Sequence, residues 1–104
     1  MTIDTKNRSY QLTAIVNIKK PSNVNYETPS NDVVNWWHIQ LKNRHTVFYK
    51  IVNNDLAEYD REFEVELSFL DDDVIKEIVF GNTYDLYRGP EKIGHLIVQS
   101  NKKE

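Results

Sequence analysis

Apolar side chains recur at every second residue in several short runs of this chain, a spacing that places them on one side of a β-strand. The plainest run is Glu62 to Phe69. Phe63, Val65, Leu67 and Phe69 alternate there with Glu62, Glu64, Glu66 and Ser68, which predicts an inner and an outer face. Tyr10, Leu12, Ala14, Val16 and Ile18 alternate with Gln11, Thr13 and Asn17, and Trp37, Ile39 and Leu41 with Trp36, His38 and Gln40. Thr46 to Val52 is β-branched and aromatic, as strands are. With two more runs near the C-terminus, six strands are expected near residues 9–18, 36–41, 46–52, 62–69, 83–87 and 92–98.

The breaks between these runs carry turn chemistry. Lys42-Asn43-Arg44-His45 reads as a polar hairpin turn, as do Asn53-Asn54-Asp55 and Arg88-Gly89-Pro90-Glu91. Lys19 to Asn35, with Pro21 and Pro29, reads as a loop longer than most connections in a compact domain. Loops of that length often carry function. Asp71 to Val79 changes period. Acids at its start, and the pairs Val74/Ile78 and Ile75/Val79, predict a helix of about two turns. The fold class expected is all-β: a small antiparallel barrel, closed or partly open, of about six strands with one short helix. Closure would remove exposed strand edges. Residues 1–104 are read as one domain, with 1–8 and 100–104 expected to fray.

Composition narrows the function classes. The net charge is −3, from 13 basic and 16 acidic residues, which argues against broad binding to phosphate backbones. There is no cysteine, so disulfides, thiolate zinc sites and thiol chemistry are excluded. No apolar run approaches the roughly 20 residues of a membrane-spanning helix. The polar start Met1-Thr2-Ile3-Asp4 does not read as a signal peptide, so a cytoplasmic, bacterial-type protein is expected.

The C-terminal half resembles the C-terminal β-barrel domain of translation elongation factor Tu. The residues that carry the likeness are Asp60-Arg61-Glu62-Phe63-Glu64-Val65-Glu66-Leu67 and Asn82-Thr83-Tyr84-Asp85-Leu86-Tyr87-Arg88-Gly89-Pro90-Glu91-Lys92-Ile93-Gly94-His95-Leu96-Ile97-Val98. They follow the family's order of strand, irregular connection, strand, small-residue turn and a final strand entered through a hydrophobic-Gly step. The resemblance implies a barrel fold and, as a functional expectation, an association with RNA or translation. The chain has no phosphate-binding Gly-rich loop of a GTPase. Arg44-His45-Thr46-Val47-Phe48-Tyr49 stands where the family has an Arg-Pro-Gln-aromatic stretch, so the family's tRNA-contacting residues do not transfer.

Candidate chemistry is sparse. His38, His45 and His95 could bind a metal or act as a base, but none has ligand spacing to another His, Asp or Glu, and a structural role fits them better. Asp71-Asp72-Asp73 fits helix capping better than a cation site. The Glu62, Glu64, Glu66 stripe fits a solvated outer face, paired with Lys50, better than a docking surface. Trp36 and Trp37 are more informative, because consecutive strand residues point to opposite faces. Trp37 is expected in the core, leaving Trp36 either covered by the long loop or free as an interface anchor. The candidate binding residues are therefore Trp36, His38, Arg44 and Tyr49. No cofactor, metal or membrane is expected. The leading expectation is a non-catalytic binding module acting through protein–protein contact. An RNA- or translation-associated module is second, and an enzyme with a dispersed site third.

Overall fold

The computed structural model describes residues 10–20, 22, 28–29, 36–69 and 71–101. Six strands form in chain order: β1 Leu12–Ile18, β2 Trp36–Gln40, β3 Arg44–Ile51, β4 Glu62–Phe69, β5 Thr83–Arg88 and β6 Glu91–Asn101. They close into an antiparallel barrel in the order β1-β4-β3-β2-β5-β6, with β6 returning to β1. The expected fold class is thus the observed one.

Alternation decides what fills the barrel. Phe63, Val65, Leu67 and Phe69 of β4 all point inward and are buried, as are Leu12, Ala14, Val16 and Ile18 of the adjoining β1, which stand beside them. Trp37 is 2 % exposed and stacks on Tyr49, with ring centroids 3.7 Å apart and planes 6° from parallel. Strand β6 reaches the core by a different route. Gly94 pairs with Leu86 and Lys92 with Tyr87, so Ile93 is an extra residue, and this bulge turns its side chain into the interior. Gly94 is required for close approach: a Cβ there would fall on the carbonyl oxygen of Asn17 and lie 2.8 Å from the Cα of Ile18.

Two connections are not hairpins, because β1 lies apart from β2 and β4 apart from β5 in the ring. The β4–β5 connection begins with one helical turn, α1 Asp72–Ile75, capped by Asp71 Oδ1 accepting from the Asp73 amide at 2.9 Å. Val74 is buried beneath it, and Ile75 and Ile78 pack against the core. Helix stops after that one turn, shorter than the period of Asp71 to Val79 predicts. Tertiary packing, not propensity, sustains so short a segment, and the packing here is satisfied by one turn and an irregular run. The other end of the barrel is closed by the β3–β4 connection, where a 3-10 turn at Asn54–Leu56 brings Ala57 and Tyr59 onto the core.

Strand boundaries shift by up to three residues from the sequence reading: β1, for instance, begins at Leu12. Arg44 and His45 belong to β3, leaving 41–43 as the turn, because Arg44 pairs with Gln40 and His45 with Ile39. Ser100 and Asn101 extend β6 instead of fraying: they pair with Thr13 and Leu12, and the Thr13 and Ser100 hydroxyls lie 3.0 Å apart. The remaining residues expected to fray, 1–8 and 102–104, lie outside the described residues.

Candidate functional site

The outer surface over the β2–β5 seam gathers the polar chemistry that the sequence offered separately. This seam is the shortest of the barrel, pairing His38 with Tyr87 and Ile39 with Leu86. Ile39 and Leu86 point inward and are fully buried, so their neighbours His38 and Tyr87 face outward, side by side. Arg44, on β3, lies beyond β2 from Tyr87. Its side chain reaches over β2 and places the guanidinium carbon 3.7 Å from the centre of the Tyr87 ring. Gln40, directly opposite Arg44 on β2, fixes it there: Arg44 Nε donates to Gln40 Oε1 at 3.0 Å, and Gln40 Nε2 donates to the Leu41 carbonyl at 3.0 Å. The guanidinium is therefore held at two points, by a ring face and by an amide. Arg44 and its neighbour Lys42 remain exposed.

Of the four residues that the sequence singled out, His38 and Arg44 come together here. Tyr49 does not. It shares the inward face of β3 with Val47 and Ile51, stacks on Trp37 and is buried, so it belongs to the core and is corrected from a binding residue to a packing one. The backbone of Trp36 pairs with Phe48, and its side chain lies outside the described residues. Phe48 and Ser68 point outward, yet both are buried. The surface on that side of β2 is consequently covered ground. Of the long loop, Pro29 is buried and Ser22 is exposed, and most of the rest lies outside the described residues.

Tyr87, the platform of the site, escaped the sequence reading. Its outward direction was legible from the alternation with Leu86, but nothing local says that β5 runs beside β2. That adjacency comes from the crossover between β4 and β5.

The other candidates separate. His95 lies on β6 opposite Asp85 and Asn17, and His45 on β3 points toward the barrel interior with its Nε2 buried and without a partner. Among the described residues no three His, Asp or Glu side chains gather as a metal site would require. The acidic stripe occupies the outer face of β4, where Glu66 stands directly opposite Lys50 as the sequence suggested. Strand β4 adjoins β3, and these acids lie toward the end of β3 away from Arg44.

One further cluster ties the long loop to the barrel. The Glu91 carboxylate accepts from the Ser22 amide at 3.0 Å and the Ser22 hydroxyl at 2.8 Å, with Lys19 Nζ at 3.3 Å. The Ser22 bonds, with a smaller contribution from Lys19, hold the Glu91 carboxyl below the usual carboxylate range. At the same end of the barrel, burial pushes the Tyr59 hydroxyl up, partly offset by the Arg88 charge.

The interior is apolar and the exterior carries charge, the reverse of a membrane barrel that shows lipid an apolar band. No described helix is long and apolar enough to cross a membrane. The class these features define is a closed, six-stranded, antiparallel barrel with a basic-aromatic surface over one seam. No family model matches the chain, and no match is found among the curated proteins or the solved structures compared with it.

Proposed function

We propose that this chain is a non-catalytic binding module that engages another protein through the outer surface of the β2–β5 seam. The observation that carries this reading is the guanidinium of Arg44 held 3.7 Å over Tyr87 on an exposed sheet face. Arg and Tyr dominate the energetics of protein interfaces, and a side chain already fixed in place loses little entropy on binding. No catalytic role is assigned to the site, since no described hydrogen bond joins His38 or Tyr87 to a general acid or base as catalysis of that kind would need. The cytoplasm is the compartment proposed.

A second reading, an RNA- or translation-associated module, follows from the resemblance to the elongation factor barrel. The Arg44–Tyr87 stack lends it support, because bases stack on such planes. The acidic balance of the chain weighs against it.

Quantitative affinity capture with wild type and Tyr87→Ala, each with and without nuclease, separates the two. Partners that fall away with Tyr87→Ala and resist nuclease support protein binding. Nuclease-sensitive capture supports the second reading, and an identical partner set for both proteins removes this surface from the function.

A further inference from the structure

We infer that the partner presents a carboxylate, an Asp or Glu side chain on an acidic protein segment, to the Arg44 guanidinium. This rests on the protein-binding reading and goes beyond it by naming the chemistry recognised.

Four of the described cations are ion-paired. Lys19 pairs with Glu91, Arg61 with Glu58, Lys76 with Asp73 and Lys92 with Asp85. Among the described residues Arg44, like Lys42 and Arg88, has no such partner: its described contacts are the Gln40 amide and the Tyr87 ring, both neutral. An amide that accepts from Nε and a ring beneath the plane leave the two Nη groups at the outer edge of the guanidinium. That edge is the fork that matches a carboxylate with two parallel hydrogen bonds.

The surroundings have the same sign. Lys42 is exposed at the adjoining turn, and the flanking outward residues His38, Gln40 and Thr46 carry no negative charge. Asp85, the nearest acid along β5, is taken by Lys92 at 3.3 Å. In a chain with net charge −3, this seam is a local positive surface, and the acids of the neighbouring strand β4 lie toward the other end of β3, where Glu66 faces Lys50. Charge complementarity of this kind selects an acidic partner and disfavours a basic one.

The test uses the full chain as bait for a displayed library of random linear peptides, followed by fluorescence anisotropy on the selected peptides. The expected result is enrichment of Asp or Glu at a fixed position and weakening of about tenfold or more with Arg44→Gln. Lys42→Gln changes an exposed side chain with no described contact. It should weaken the same peptides by about two- to threefold at low salt and less at high salt. Arg44→Glu should recover binding to a peptide whose key acid is replaced by Lys.

Peptides that depend on Arg44 but lack a common acid overturn this inference and leave the protein-binding reading standing. Basic peptides selected on the β4 stripe overturn it too. Arg44-dependent self-association in sedimentation equilibrium would identify a second copy as the occupant and also overturn it. Failure to select any peptide, with an oligouridylate probe bound through Arg44, overturns both proposals.

Discussion

Replacing Trp37 by alanine probes the packing on which the barrel depends. The indole is 2 % exposed and lies flat on Tyr49 at 3.7 Å, inside a ring of strands that cannot move inward independently. An aromatic side chain buries about 150–250 Å². At about 25 cal/mol per Å² that is roughly 4–6 kcal/mol of transfer free energy. Residual burial in the unfolded chain lowers the figure by about 10–40 %. Trp37→Ala should therefore cost about 3–5 kcal/mol, in line with large-to-alanine changes in other cores. Total stability for a domain of this size is about 5–15 kcal/mol, so the variant should be folded but marginal. Urea unfolding followed by far-UV circular dichroism measures the loss without relying on the indole that was removed. A double-mutant cycle with Tyr49→Leu should show coupling of about 0.5–1.5 kcal/mol from the stacked rings. A loss below about 1 kcal/mol for Trp37→Ala, or no coupling in the cycle, would refute the stacked pair as a core element.

Further outcomes follow from other features. Gly94→Ala drives a methyl group into the backbone of Asn17 and Ile18, so β1 and β6 must part. A cost of about 2–4 kcal/mol and a fall in Tm of more than about 10 °C are expected, and a change under about 2 °C would show that the seam yields. The Glu91 carboxyl is held low in the folded state, so its stabilisation is present above the unfolded value of about 4.3 and is lost as pH falls through the folded value. The Tm gap between wild type and Glu91→Gln should accordingly be level near neutral pH and close in acid; a gap that persists in acid contradicts the Ser22–Glu91 contact. EDTA should leave Tm unchanged, since no ligand cluster exists among the described residues, and a drop of several degrees would reveal a missed metal.

Much of the fold was legible because each strand announces its two faces locally. Phe63, Val65, Leu67 and Phe69 needed no partner to be recognised as an inward row, and Trp37 lies in the core as its phase in β2 predicts. What the sequence conceals is pairing. Arg44 and Tyr87 meet only because β5 is brought beside β2 by a crossover, and alternation within either strand carries no trace of that neighbour. Tyr49 was misread for a related reason. An aromatic in a mixed β-branched run could occupy either face, and its neighbours Phe48 and Lys50 did not break the tie. The bulge at Ile93 went unread as well, although Gly94 beside it is the residue type that marks one.

The order of the ring has a consequence for the time course of folding. Strands β2, β3 and β4 are joined to their neighbours by short connections, as are β5 and β6, so these pairings can form early. Strand β1 must wait: it closes the barrel against both β4 and β6, and its seam with β6 joins residues 12 and 101. Contacts so distant along the chain slow folding, on the order of milliseconds to seconds. Until β1 docks, the edges of β4 and β6 are open to strands of other molecules. The outward Glu62, Glu64 and Glu66 lie along one of those waiting edges, where like charges repel a second copy during the interval. Neutralising all three to Gln should therefore lower refolding yield at high protein concentration more than it lowers equilibrium stability, and equal yields would show that β1 arrives too early for the edge to matter.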